Sequence, residues 1–147
     1  MAQVGKFYSK FFEKALSKEI GWVSDTIRCA LCTGDYIPNQ ATDVYFSDIT
    51  NEAEASGGYI AGGFELSNRV IEYDSSMGST RLKADSISLQ DVTIPNVRHI
   101  VIYKDSGTPS TSPLIGFIDL GVVRGVTNGV FEINWNEDGV FTNTITV

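Results

Sequence analysis

One histidine, two cysteines and four prolines in 147 residues remove much of the chemistry that a small protein can carry. A structural zinc site needs four ligands, and beyond Cys29 and Cys32 the chain offers only His99 as a soft one. Cys29-Ala-Leu-Cys32 has the C-x-x-C spacing of metal and redox sites. On a strand, however, positions three apart point to opposite faces, which suits neither a disulfide nor joint ligation. Both cysteines read as small buried residues of a reducing compartment. A hydrolytic role for His99 lacks support as well: no G-x-S-x-G elbow is present. His99 shares a strand face with Val97 and Val101, the place of a sheet-face residue.

Long apolar runs are missing too. No stretch approaches the roughly 18 consecutive apolar residues of a membrane span. Lys6, Lys10, Lys14 and Lys18 interrupt the apolar core that a signal peptide would need. The expectation is a chain made in a cytoplasm, with no membrane partner. Positive charge is scarce, with 11 basic against 18 acidic side chains and a net charge of −7, which argues against non-specific nucleic-acid binding. The acids do not form a calcium loop, since Asp48, Asn51, Glu52 and Glu54 lack the D-x-[DN]-x-[DN]-G spacing.

What is present is an ordinary globular composition, 42% hydrophobic and 20% charged. At this length one domain buries about 68–70% of its unfolded surface and needs no staple. The basic side chains gather at one end. Residues 1–18 hold four lysines against Glu13, and the rest hold seven bases against seventeen acids.

Gly5 to Lys18 reads as an amphipathic helix: Phe7, Phe11 and Ala15, with Tyr8, Phe12 and Leu16, form one broad apolar face. Lys6, Lys10 and Lys14 lie opposite, and Gly21 ends the pattern. The aromatic patch beside a lysine stripe has two readings: it caps the domain or it docks on another chain. From Thr26 the period changes to two. TIRCALCT, LSNRVIEYD, TRLKADSI, DVTI, VRHIVIYK, LIGFIDLG, VFEINWN and FTNTITV read as separate strands, with a short helical turn in TDVYFSDIT. VRHIVIYK is apolar on both faces, so it belongs at the centre of a sheet. Short strands at this spacing predict a mainly β fold, an antiparallel β-sandwich or barrel-like domain over residues 21–147, preceded by an N-terminal amphipathic helix or arm over residues 1–20.

The loop Asp105-Ser-Gly-Thr-Pro-Ser-Thr-Ser-Pro113 is crowded with hydroxyls but has one glycine, no following lysine and a strand beyond it, so it is no phosphate cradle. Asp105, Ser106 and Gly107 suit a turn, and Pro109 and Pro113 stiffen its exit. Trp22, Tyr59, Tyr103 and Trp135 fit either a sugar-binding platform or core packing.

The runs GW-x-x-DTIRCALCTGDYIPNQ from Gly21 to Gln40, TDVYFSDITNE, GGYIAGG and IVIYKDSGTPSTSPLIGFIDLG resemble a family of small tailed-bacteriophage structural proteins, among them capsid decoration and cement proteins. The resemblance covers about residues 20–136, and YKD-x-G-T…SPLIG-[FY]-[IV]-D is its most specific part. It implies a β-rich capsid cement or decoration protein, found on the virion surface after synthesis in the host cytoplasm. Implied with it are the major capsid protein and a second or third copy of the chain as partners, with no enzyme activity, catalytic residue, cofactor or metal. On that reading Phe7, Phe11 and Phe12 are apolar anchors, and Lys10 and Lys14 meet acidic shell residues. A tail-associated or host-carbohydrate-binding module is the alternative.

Overall fold

Alternation in TIRCALCT does build a strand, and its pairing organises the rest of the molecule. The computed structural model describes residues 3–146. Along the chain run β1 (Lys6–Phe7), α1 (Phe11–Leu16), β2 (Ile27–Cys32), β3 (Phe64–Glu65), β4 (Val70–Asp74), β5 (Ser79–Lys83), β6 (Ile87–Lys104), β7 (Leu114–Ile133) and β8 (Phe141–Thr144). The 3₁₀ turns Phe46–Asp48 and Pro109–Thr111 lie between them, the first where the helical turn was expected.

The fold is mainly β, in two antiparallel sheets. One has the order β1-β7-β6-β2-β3 and the other β4-β5-β8, and neither closes into a barrel. As expected, β6 is central where both its faces are apolar. Val101 lies opposite Ala30 on one side and Phe117 on the other. Residues Ile27, Cys29, Leu31, Ile100, Ile102, Ile115 and Ile118 pack against Leu82 and Phe141 of the second sheet. The opposite face buries Ala30, Cys32, Val101, Tyr103 and Phe117 beneath Tyr8, Tyr36 and the partly buried Phe46 and Ile49.

Four of the expected strands are two long ones. DVTI and VRHIVIYK merge into the 18-residue β6, and LIGFIDLG and VFEINWN into the 20-residue β7. At about 3.3 Å per residue this hairpin is roughly 60 Å long. Residues that look like breaks are absorbed as bulges. The register shifts between Ile94↔Val126 and Val97↔Arg124, around Pro95. Gly125 permits that approach, because a Cβ there would stand 2.4 Å from Pro95 O. Gly121 and Asn128 take positive φ within the same strand.

The N-terminal helix is present but shorter than expected. Pairing of Lys6 and Phe7 with Phe117 and Gly116 consumes its first turn. Its end is also earlier: Lys18 adopts φ 68, and Glu19 N–H and Ile20 N–H both donate to Lys14 O, at 2.8 and 3.2 Å. Gly21 is therefore not the stop.

Candidate functional site

The five residues predicted to bind a partner divide between core and surface. Phe7, on β1, stacks on Phe11 at 4.8 Å and on Phe141 of β8 at 5.0 Å. Phe11 is only 7% exposed and belongs to the main core. Phe12 sits edge-on to Phe7 and Phe11, at 5.0 and 5.1 Å, and remains 41% exposed. Lys10 is exposed, with Nζ 3.2 Å from Glu13 Oε2.

Lys14 departs from the predicted lysine stripe. It is 8% exposed, and its Nζ donates to Glu19 Oε2 at 2.7 Å and to Tyr45 OH at 3.1 Å. The bond to Glu19 raises its pKa. Lys14 lies three residues after Phe11 and so shares the buried face of the short helix. The segment thus packs on the core and leaves Phe12 and Leu16 exposed, together with Lys6, Lys10 and Lys18.

The cysteines point to opposite faces of β2, Cys29 into the main core and Cys32 into the other. Burial raises both thiol pKa values, that of Cys32 to about 12. Register then produces a juxtaposition that no sequence spacing displays. Cys32 lies opposite His99, and His99 lies opposite Asp119. A thiol, an imidazole and a carboxylate therefore share a row across three strands.

The row lacks the features of a nucleophile site. Cys32 is fully buried. Asp119 is committed to Arg98, whose Nε donates to Oδ1 at 2.6 Å; with the Gly121 N–H, this holds the carboxyl down at about 2. His99 Nε2 stands 3.8 Å from Asp119 Oδ2, and burial lowers the imidazole pKa. Tyr36 and Phe117 close around the ring, edge-on at 6.0 and 6.1 Å.

The hydroxyl-rich loop is satisfied by its own groups and by Arg28 of β2. Gly107 N–H donates to Asp105 Oδ1 at 2.8 Å, and Asp105 Oδ2 accepts from Arg28 Nε at 2.7 Å. Ser106 and Thr111 hydroxyls meet at 2.7 Å, and Ser112 Oγ donates to Thr108 O at 2.8 Å. The acids Asp48 and Glu52, which lack calcium-loop spacing, are engaged as well. Asp48 Oδ2 accepts from the Val44 and Tyr45 N–H groups, and Glu52 Oε2 from Tyr59 OH and Gly62 N–H. Among the described residues no three His, Cys, Asp or Glu side chains are grouped to hold a metal.

Of the four aromatics considered for a sugar platform, Trp22, Tyr59 and Tyr103 are buried. Trp135 is half-buried and lines a cavity of about 260 Å³ with Ser86, Asn134, Asn136 and Glu137. The larger exposed apolar side chains lie elsewhere, many on strands: Val70, Ile71 and Tyr73 on β4, and Val122, Val123 and Val130 on β7.

Sequence reasoning also missed Arg69. Its guanidinium donates to the carbonyls of Trp22, Val23, Asp25 and Leu66, tying the turn after α1 to the start of β4. The signal was thin: an arginine beside an apolar run. Comparison of the chain with family models, with curated proteins and with solved structures finds no match.

Proposed function

We propose that the chain is a virion structural protein, a capsid cement or decoration protein that binds the assembled shell and bridges neighbouring major capsid subunits. It rests first on the sequence resemblance. The structural observation that supports it is the exposed apolar surface, which includes side chains of β4 and β7 and also Phe12 and Leu16 of α1. Exposed apolar side chains on open strands suit contact with other protein chains. The mechanism is mechanical. A protein that binds only the assembled state stabilises it by mass action, and copies repeated around a symmetry axis add their contacts.

Phe12 and Leu16 supply the apolar part of the shell contact, and Lys10 supplies charge to acidic shell residues. Phe7, Phe11 and Lys14 act one step back, by fixing where Phe12 stands. The reading is tested by quantitative mass spectrometry of purified particles of the phage that encodes the chain. A copy number that is a sizeable fraction of the shell subunit supports it. A few copies per particle, or none, refutes it.

A second reading, host-carbohydrate binding by a tail or capsid module, is favoured by one observation, the Trp135 cavity. It requires glycan-array binding that Trp135→Ala abolishes. Trp22→Ala has no bearing on it, because Trp22 is buried and its indole N–H donates to Lys83 O at 3.1 Å.

A further inference from the structure

β4 is the outer strand of its sheet, and among the described residues nothing pairs with its free edge. Its register with β5 sets Ile71 opposite Leu82 and Tyr73 opposite Thr80, and Leu82 lies opposite Phe141 in turn. Leu82 and Phe141 are core residues, so Ile71 and Tyr73 point to the core side of the sheet. Yet Ile71 is 55% and Tyr73 67% exposed. The core-facing side of this strand overhangs the core instead of resting on it.

β7 also has an open edge beyond its pairing with β1, but that edge is spoiled for pairing. It carries Arg124, positive φ at Gly121 and Asn128, and repeated register shifts. Such bulges and charges are how edge strands avoid one another. β4 lacks the bulges: five residues pair in unbroken register, with no positive φ and no proline, and its two acids, Glu72 and Asp74, sit on the face away from Ile71 and Tyr73.

Charge distinguishes the occupant. The chain as a whole carries −7 and repels its own copies. On the outer face of β4 and β5 the charges cancel, since Lys83 Nζ lies 3.3 Å from Glu72 and Arg81 Nη2 2.8 Å from Asp74. With each acid paired to a base of its own sheet, a second copy meets no net like charge on this face.

We propose that β4 pairs with β4 of a second copy, antiparallel about a two-fold axis at Glu72, joining two three-stranded sheets into one of six strands. In that register Ile71 of each copy faces Tyr73 of the other on the core side, an aliphatic–aromatic pair made twice. Val70 faces Asp74, and the two Glu72 carboxylates meet while each keeps its own Lys83. The symmetric contact uses both edges and closes without leading to a fibre. Five residues bury roughly 300–400 Å² per copy, well under the ~800 Å² of a standard interface, so the dimer is weak in solution. Arraying copies on a shell raises their effective concentration.

The inference deepens the reading above and rests on it only for the shell. A monomer refutes the β4 contact and leaves the particle copy number untouched.

The test is sedimentation velocity over a concentration series from low to high micromolar, together with site-directed cross-linking. The expected result is a mass rising towards that of a dimer, with Tyr73→Lys weakening association about tenfold or more while thermal unfolding of the monomer is unchanged. Directly opposite Cβ atoms stand about 4.5–5.5 Å apart, so Glu72→Cys cross-links under mild oxidation. In the same register two Val70→Cys thiols lie about 14 Å apart along the strands and do not. Both native cysteines are buried and stay silent. A monomer at every concentration, a dimer indifferent to Tyr73→Lys, or Val70→Cys cross-linking as readily as Glu72→Cys overturns the proposal.

Discussion

Replacing Phe11 by alanine separates the folding role of the N-terminal segment from any binding role, provided it is compared with Phe12→Ala. Phe11 is 7% exposed and stacked on Phe7, which is itself stacked on Phe141. Removing a buried phenylalanine ring costs about 3–5 kcal/mol, a transfer term plus a cavity that the neighbours only partly fill. Phe12 is 41% exposed, so roughly three-fifths of a burial term of about 1.5–3 kcal/mol is at stake, and no enclosed cavity forms. The expectation for Phe12→Ala is therefore about 1–2 kcal/mol. With a urea slope of roughly 2 kcal/mol/M, Phe11→Ala lowers the midpoint by about 1.5–2.5 M and Phe12→Ala by about 0.5–1 M. Urea unfolding followed by circular dichroism and by tryptophan fluorescence reads both, and coincident curves license the two-state arithmetic. Equal shifts for the two variants, or a Phe11→Ala cost below about 1 kcal/mol, would refute the claim that this segment belongs to the core.

Two further outcomes follow from titration and burial. The Arg98 bond holds the Asp119 pKa down at about 2. A depressed carboxyl contributes stability that is complete above the ordinary carboxylate range and is lost as pH falls through the folded value. The melting-temperature gap between the wild type and Asp119→Asn should therefore shrink between about pH 4 and pH 2; a gap constant across that window sinks the assignment. Cys29 and Cys32 are buried with raised pKa values, so a thiol reagent at neutral pH should label neither in the native protein and both in denaturant. Rapid labelling of Cys32 without denaturant would mean that the strand row at His99 is open to solvent.

Local pattern carried far into this fold. Period-two alternation located β2, and two apolar faces located the central part of β6, because those signals depend only on which side each residue faces. Long-range pairing left no such mark. Pro95, Gly121 and Asn128 are strong turn signals, yet here they sit inside β6 and β7 as bulges, held by the opposite strand. Lys14 looked like a surface lysine because one of its two partners, Tyr45, is 31 residues away and the other, Glu19, lies beyond the helix end. The same blindness hid the row of Cys32, His99 and Asp119, which exists only through register. For the candidate site, the aromatic cluster was legible and its division between core and surface was not. A 3.6-residue period assigned Phe7 to a helix, whereas Phe7 lies on a strand paired with Gly116.

That division bears on how a docking role for the N-terminal segment is judged. A chain beginning at Gly21 would lack Tyr8, Phe11 and Ile20, all buried, and the Tyr8 to Tyr36 hydroxyl contact of 2.7 Å. Its failure to bind a shell would report unfolding as readily as a lost contact. Variants at Phe12, Leu16 and Lys10 avoid the confusion, since each is substantially exposed. The arrangement also has an energetic consequence. A flexible arm that orders on docking loses conformational entropy at that moment, whereas Phe12 is already fixed against Phe7 and Phe11 at about 5 Å. The core residues of the segment thus meet the ordering cost during folding, and under the proposed shell contact a small patch such as Phe12, Leu16 and Lys10 would keep more of its contact energy for binding.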